Sequence, residues 1–285
     1  MRQRFATLLF GPLSAGALFL CGAARASSAD LDILSDASLE MEAARYVPSK
    51  VDQRLVGTIG GRSGLIGYRD ATFFLAARLE TILGSERRAF DADQGSYHIE
   101  LGFDQRLRDL RLTPFFHHVS RHDLDRSKPE AVDWNVLGVR VDGPWPRDSQ
   151  PRVRAGLGVG HTTQASLIGY RWELTARVDA LAVPRASAEI HARARARLVT
   201  TEPSDLFPRS GFLDYGLELA ARWTRGRRTF EAFATLERRN DVLLMTPDAR
   251  TRLLLGVRFG LEDDRRRDVP ATAPAARPPS QPRER

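Results

Sequence analysis

Long stretches of this sequence alternate between apolar and charged residues with a period of two. The stretch GYRWELTARVDALA has Tyr170, Trp172 and Leu174 on one parity and Arg171 and Glu173 on the other. The next segment, AEIHARARARL, sets alanine, isoleucine and leucine against glutamate, histidine and arginine in the same way. Successive side chains of a β-strand point to opposite faces, so the alternation predicts strands with one apolar face and one charged face.

These strands are about twice as long as the usual strand of about 5 or 6 residues in a soluble sheet. A soluble lipocalin-like barrel or sandwich hides its apolar face and shows charge to water. A membrane barrel does the reverse, with apolar side chains toward lipid and charged ones in the lumen. The length and regularity of the strands favour the second all-β fold, a transmembrane antiparallel β-barrel.

The pattern predicts ten strands, an even number as in single-chain bacterial barrels. The segment before them, residues 27–60, is expected to be a periplasmic segment that could hold a short helix or plug, or an extra strand pair that raises the count to twelve. The barrel itself is assigned to residues 61–261. The predicted strands are 71–83, 95–107, 109–121, 132–143, 151–163, 168–182, 186–201, 212–225, 227–239 and 249–261.

The connections between these strands alternate between mostly short and longer ones. Outer-membrane barrels have short periplasmic turns and longer outer loops, so the alternation predicts that both ends of the barrel lie in the periplasm. Trp145 and Trp223 then fall at periplasmic ends, whereas Trp134, Tyr170 and Trp172 fall near outer ends. This placement is typical of aromatic belts at the two membrane interfaces.

Both termini of the chain are expected to lie outside the barrel. Residues 1–26 have a basic start, an apolar middle and small residues before the end, which is the pattern of a secretory signal peptide. Its removal takes away Cys21, the only cysteine, so disulfides do not hold the mature chain. Residues 262–285 are rich in proline, alanine and arginine and are predicted to be a disordered tail.

The net charge of +7 comes almost entirely from arginine. Basic proteins often bind nucleic acid, but the predicted signal peptide would export this chain away from the compartment that contains nucleic acid. We therefore expect outer-membrane lipid, with lipopolysaccharide as one form, and the barrel-assembly machinery as partners, and no nucleic acid or cofactor.

A polar cluster interrupts one lipid-facing parity in the strand 109–121. The even positions start with leucine and phenylalanine and then continue as His118, Ser120 and His122. The topology places this end of the strand at the outer rim of the barrel. Polar side chains are therefore predicted where acyl chains of the outer leaflet meet the headgroups.

A serine beside a histidine, with a third group that orients the imidazole, is the minimum for acyl transfer. The sequence offers Ser120 as the nucleophile and His118 as the base, with Glu130 or Asp125 as the orienting acid. Asp123 and Asp133 are also near enough in sequence to supply that acid.

Two other interpretations of the cluster are open to the sequence. Its residues could be ordinary rim residues that bond to each other and to loop backbone, the interpretation that the sequence favours. Metal binding is disfavoured, because His118 and His122 on one strand face lie about 13 Å apart, too far to share a metal ion. For a lipid site, Arg121, His122 and Arg126 are the predicted binding residues for anionic headgroups.

The region from residue 65 to 141 resembles a family of predicted outer-membrane barrels with a His-x-Ser-x-His-x-x-Asp stretch, matched here by His118, Ser120, His122 and Asp125. The resemblance implies the fold and the outer membrane but no activity. The stretch is also similar to lipid A deacylases, eight-stranded barrels with a lipid-facing His-x-Ser and a following glutamate, for which Glu130 is the counterpart. Those enzymes usually have asparagine where Arg121 stands.

Two functions follow from the sequence. The first, which it slightly favours, is a non-enzymatic barrel of unknown ligand with a structural or narrow-channel role. Its charged faces then form a cross-strand ion-pair network or line an anion path. The alternative is a lipid A deacylase-like acyl ester hydrolase that acts on outer-leaflet lipid through Ser120 and His118. The network residues are Glu173, Arg193, Arg195, Arg197 and Glu231.

Overall fold

The computed structural model describes residues 31–50, 53–85, 90–124, 132–144, 153–184, 188–205, 207–240 and 249–264. In these ranges the chain forms twelve β-strands. No helix in the described ranges is long and apolar enough to span a membrane. The strands are β1 (Leu31–Val47), β2 (Leu55–Tyr68), β3 (Ala71–Gly84), β4 (Asp91–Leu107), β5 (Leu110–Asp123), β6 (Val132–Pro144), β7 (Val153–Ala165), β8 (Gly169–Pro184), β9 (Glu189–Glu202), β10 (Gly211–Arg225), β11 (Arg228–Arg239) and β12 (Arg250–Asp264).

The strands form one closed antiparallel barrel in which each strand pairs with its neighbours in the chain. Closure joins the first strand to the last, with Leu39 of β1 opposite Leu261 of β12. A closed barrel has no edge strand, so every strand has a pairing partner on both sides.

The predicted count of ten strands is wrong, and the alternative of twelve is what the structure contains. The additional pair is β1 and β2, which lies mostly in residues 27–60, where a periplasmic segment or a strand pair was expected, and β2 continues past that boundary to Tyr68. Five glycines weaken the strand signal of β2. In β1 the alternation is broken by a register shift between Ile33 and Asp36. Residues 1–26 and most of 262–285 lie outside the described residues.

The outer surface of the barrel is apolar. On β12, Leu253, Leu255 and Phe259 point outward with 37 to 53% of their surface exposed. Arg252 and Arg258 of the same strand point into the lumen, where they approach Tyr46 and Phe233. An apolar exterior around a charged interior is the arrangement of a membrane barrel.

Ion pairs line the lumen and join both adjacent strands and strands that are next-but-one neighbours. Arg140 of β6 bonds to Glu100 of β4 at 2.9 Å, and Arg62 of β2 bonds to Asp104 of β4 at 2.8 Å. The concave inner wall brings such side chains together across the strand between them. The predicted ion-pair network is therefore present.

The aromatic residues follow the prediction only in part. Trp223 and Phe259 lie outside with Phe230 between them, near the end that the connection lengths predict to be periplasmic, as an aromatic belt requires. The opposite end is called the outer end. Trp172 is 50% exposed at the outer end, but Trp134 and Tyr170, predicted for the outer belt, are each only 3% exposed.

Both buried rings lie inside the barrel. Tyr170 and Trp172 would share one face of a regular strand, but the register between β8 and β9 shifts between them, so Tyr170 points inward. Trp134 has the inward parity of β6. Trp145 lies outside the described residues.

An apolar cluster fills one side of the outer end of the lumen. It includes Phe207, which the connection between β9 and β10 inserts with only 1% of its surface exposed. The cluster packs against the inner faces of β5 and β6, directly behind the polar cluster predicted from sequence. Its buried members are Val119, Val132, Trp134, Val136, Ile168, Tyr170, Val199, Phe207 and Phe212.

Candidate active site

The parity predicted for β5 is confirmed. Val119 and Arg121 are buried in the lumen, so His118, Ser120 and His122 point outward. The three polar side chains follow Phe116, which is 38% exposed on the same outer line. The cluster therefore continues an apolar line up the outside of the barrel.

A row of side chains crosses four strands at the level of His118. His118 lies opposite Ile99 on one side and Asn135 on the other, and Asn135 lies opposite Gln164. The Nδ1 atom of His118 is 2.7 Å from Oδ1 of Asn135. Nδ2 of Asn135 donates to Oε1 of Gln164 at 2.9 Å.

These two hydrogen bonds define the tautomer of the neutral imidazole. Because the Asn135 amide donates to Gln164, its oxygen faces His118 and can only accept. Nδ1 of His118 must then carry the proton, which leaves Nε2 with a free lone pair. A histidine held in this tautomer by an acceptor at Nδ1 is prepared to act as a general base.

Ser120 lies one row above and has a histidine on each side along the strand. Its Oγ is 2.7 Å from Nε2 of His122. The ring of His122 packs edge-on against Tyr97, with the centroids 5.7 Å apart. The sequence pairs Ser120 with His118, whereas in this structure the hydroxyl is bonded to His122 and His118 is bonded to Asn135.

Asn135 is the residue that sequence reasoning missed. An acid was expected to orient the base, and a neutral amide on the next strand occupies that position. The signal lies in the cross-strand register, which pairs residue 118 with residue 135. Asp133 lies opposite Ser120 in the same ladder, and its backbone bonds to Ser166.

The other predicted site residues are placed differently. Arg121, predicted to bind headgroups, has its guanidinium 5.1 Å from the ring of Trp134 and lies on the lumen side of the wall. It therefore does not line the external cluster. Asp125, Arg126 and Glu130 lie outside the described residues, and Asp123 ends β5.

The inner face of the same wall holds the site in place. Val119, Trp134 and Val136 alternate with the outward residues and are each no more than 3% exposed. They belong to the apolar cluster of the lumen. Side chains on strands that are packed from behind keep their positions better than side chains on loops.

Below the cluster the outer wall is apolar. Phe116 lies one row under His118, and Leu137 of β6 lies opposite it with 58% of its surface exposed. Ile99 and Leu101 of β4 continue this surface. An acyl chain can lie against these side chains while its ester reaches the level of Ser120.

No family model matches this chain, and no curated protein matches it by sequence. Solved outer-membrane barrels do match it. The outer membrane phospholipase of Salmonella typhi, solved as a dimer with bound calcium, is 9% identical over 80% of this chain and 91% of its own, with a TM-score of 0.50. The Escherichia coli phospholipase A is 11% identical over 81% and 98%, with a TM-score of 0.49.

The KdgM porin, solved with disordered oligogalacturonate, also matches, at 8% identity over 78% of this chain and 98% of its own, with a TM-score of 0.44. The chain is an outer-membrane β-barrel. Its closed antiparallel sheet and apolar exterior agree with this fold and with a place in the bacterial outer membrane.

Proposed function

We propose that this barrel is an acyl-ester hydrolase that cleaves lipid in the outer leaflet. The observation that carries the proposal is the 2.7 Å contact between Nδ1 of His118 and Oδ1 of Asn135, on the same outward face as Ser120. A nucleophile, a base and a group that orients the base are the parts that acyl transfer requires. A protein of similar fold is named an outer membrane phospholipase, which is compatible with lipid as the substrate.

In the proposed reaction, each of the three side chains has one role. The Ser120 hydroxyl rotates from His122 to His118, two residues away on the same face of β5, and gives its proton to Nε2. The oxygen attacks the ester carbonyl, and His118 returns the proton to the departing alkoxide. Water then hydrolyses the acyl-serine with the same base, which releases a fatty acid and restores the hydroxyl.

The position of the cluster favours a membrane lipid over a soluble ester. The nucleophile faces the lipid phase and lies above an apolar wall that includes Phe116 and Leu137. A substrate with its acyl chain toward this wall has its ester level with Ser120 and its headgroup above it. Both phospholipids and lipid A carry such esters.

The test compares the two sources of this ester. Purified barrel in detergent micelles is mixed with phosphatidylethanolamine or with lipopolysaccharide, and mass spectrometry measures the released fatty acid. We expect hydrolysis of at least one lipid by the wild type and a fall in kcat of at least about 10³-fold in Ser120→Ala and in His118→Ala. The lipid that is cleaved identifies the substrate class.

A matched control is His161→Ala, which removes another outward histidine that packs against Trp172 rather than against Ser120. Its activity should equal that of the wild type. The proposal fails if the wild type hydrolyses neither lipid, or if Ser120→Ala remains as active as the wild type.

A further inference from the structure

The second histidine beside Ser120, His122, is neither the nucleophile nor the base of the proposed reaction. We infer that His122 donates the hydrogen bond that stabilises the oxyanion during acyl transfer, an inference that rests on the proposed acyl-ester hydrolysis. The ester carbonyl becomes negatively charged when Ser120 attacks, and such a charge needs a donor placed within about 3 Å.

Backbone donors at this position are already engaged. Ser120 is paired with Tyr97 of β4 on one side and with Asp133 of β6 on the other. A strand paired on both sides uses its N–H groups in the two ladders. Within the described part of the chain, the strand backbone at Ser120 therefore offers no donor, and the donors that remain there are side chains.

His122 is the described side chain in direct contact with the nucleophile. Its Nε2 lies 2.7 Å from Oγ of Ser120. If Nε2 carries the proton, it donates to Oγ, and the hydroxyl proton is left to turn toward His118. If Oγ donates instead, the hydroxyl proton points away from the histidine that Asn135 holds as a base. Only the first arrangement allows both histidines to assist one reaction.

The step needs no additional proton or co-reactant. As Oγ bonds to the carbonyl carbon, its own proton moves to Nε2 of His118. The carbonyl oxygen gains the charge next to Oγ, and the N–H of His122 shifts its hydrogen bond to it. His122 keeps its proton throughout and only donates a hydrogen bond.

The ring of His122 is held for this role by Tyr97. The two rings meet edge-on at 72°, and Tyr97 lies directly across the ladder from Ser120. This contact limits rotation of the imidazole out of the row. A donor that is already positioned loses little free energy to reorganisation when charge develops.

The test separates a donor from a base. Removal of one oxyanion donor lowers kcat by about 10²- to 10³-fold, so the kcat of His122→Ala should fall by that factor while its KM is unchanged. His122→Gln places an amide N–H near the position of Nε2 and should recover activity to within roughly tenfold of the wild type. A glutamine cannot act as a base, so the recovery distinguishes the two roles.

A second readout uses an ester whose carbonyl oxygen is replaced by sulfur. Sulfur accepts hydrogen bonds weakly, so the wild type should prefer the oxygen ester, and His122→Ala should reduce that preference by roughly tenfold. A structural role for His122 would leave the ratio unchanged. Heat-shifted gel mobility checks that each variant is a folded barrel.

The outcomes distinguish this inference from the proposed function. Inactive Ser120→Ala and His118→Ala together with fully active His122→Ala would overturn the role of His122 alone. His122→Gln as inactive as His118→Ala would identify a base and overturn the donor. Wild-type activity in Ser120→Ala would overturn both.

Discussion

At the scale of single residues, Asn135 takes in the proposed site the position that a carboxylate has in most serine-histidine sites. The position of Asn135 explains why an amide is found there instead of a carboxylate, because the residue faces the lipid side near the outer rim. An ionised carboxylate there would lose much of its hydration, which costs more than the transfer of a neutral amide. The amide orients His118 without a charge, and its own orientation depends on Gln164.

This dependence gives a graded prediction. Asn135→Ala leaves Nδ1 of His118 without its acceptor and should lower kcat by roughly 10²-fold, the cost of a misplaced catalytic group. Gln164→Ala removes only the group that holds the amide and should have a smaller effect on kcat. Fatty-acid release under saturating lipid measures both variants. Equal activity of Asn135→Ala and wild type would contradict the assigned role.

The sequence predicts the outward line His118, Ser120 and His122 because parity within one strand is a local property. It does not predict Asn135, because the partner of a residue depends on the register between β5 and β6. That register involves the connection between these strands, whose length alone does not define which residues lie opposite each other.

At the scale of strands, the site depends on what lies behind it. Phe207 reaches the apolar cluster from the connection between β9 and β10, and the cluster packs against the inner faces of β5 and β6. Its ring also meets Phe212, with the centroids 5.8 Å apart. A buried ring in a cluster to which five strands contribute should add to the stability of the outer end of the barrel.

Phe207→Ala should therefore destabilise the barrel by about 3 to 5 kcal/mol, the usual cost of removing a buried ring. The temperature at which the heat-shifted gel mobility is lost should fall by roughly 10 °C. Leu157→Ala is the matched control, because Leu157 is 69% exposed on the outside and its removal leaves no internal cavity. An equal shift in both variants would show that the cluster has no special role.

Ten of the strands are predicted to within a few residues, because long alternation is a strong and local signal. The two missed strands show its limit. β2 contains five glycines, and β1 begins with an irregular register, so neither strand shows a regular alternation of apolar and polar residues. The inward position of Tyr170 is missed for a related reason. A bulge between Tyr170 and Trp172 reverses the parity of the strand, and nothing in the sequence pattern marks it.

At the scale of the whole molecule, the charged lumen bears on the narrow-channel alternative. Arg258 of β12 bonds to Glu42 of β1, Glu218 of β10 and Glu231 of β11 at 2.6 to 3.1 Å. Arg193 of β9 shares both of these last two glutamates. The network ties five strands together and occupies part of the space between cavities of about 530 and 400 Å³.

If this network restricts the lumen, its removal should open a path for ions. The double variant Arg258→Ala, Glu231→Ala removes the two central, mutually paired side chains together and leaves the net charge of the lumen unchanged. Its single-channel conductance in planar bilayers should exceed that of the wild type several-fold. The control Val257→Ala, Phe259→Ala changes the same strand on its lipid face and should conduct like the wild type. Equal conductance in all three proteins would mean that the network is a structural brace that does not limit flow, and that the lumen is closed elsewhere, such as at the apolar cluster of the outer end.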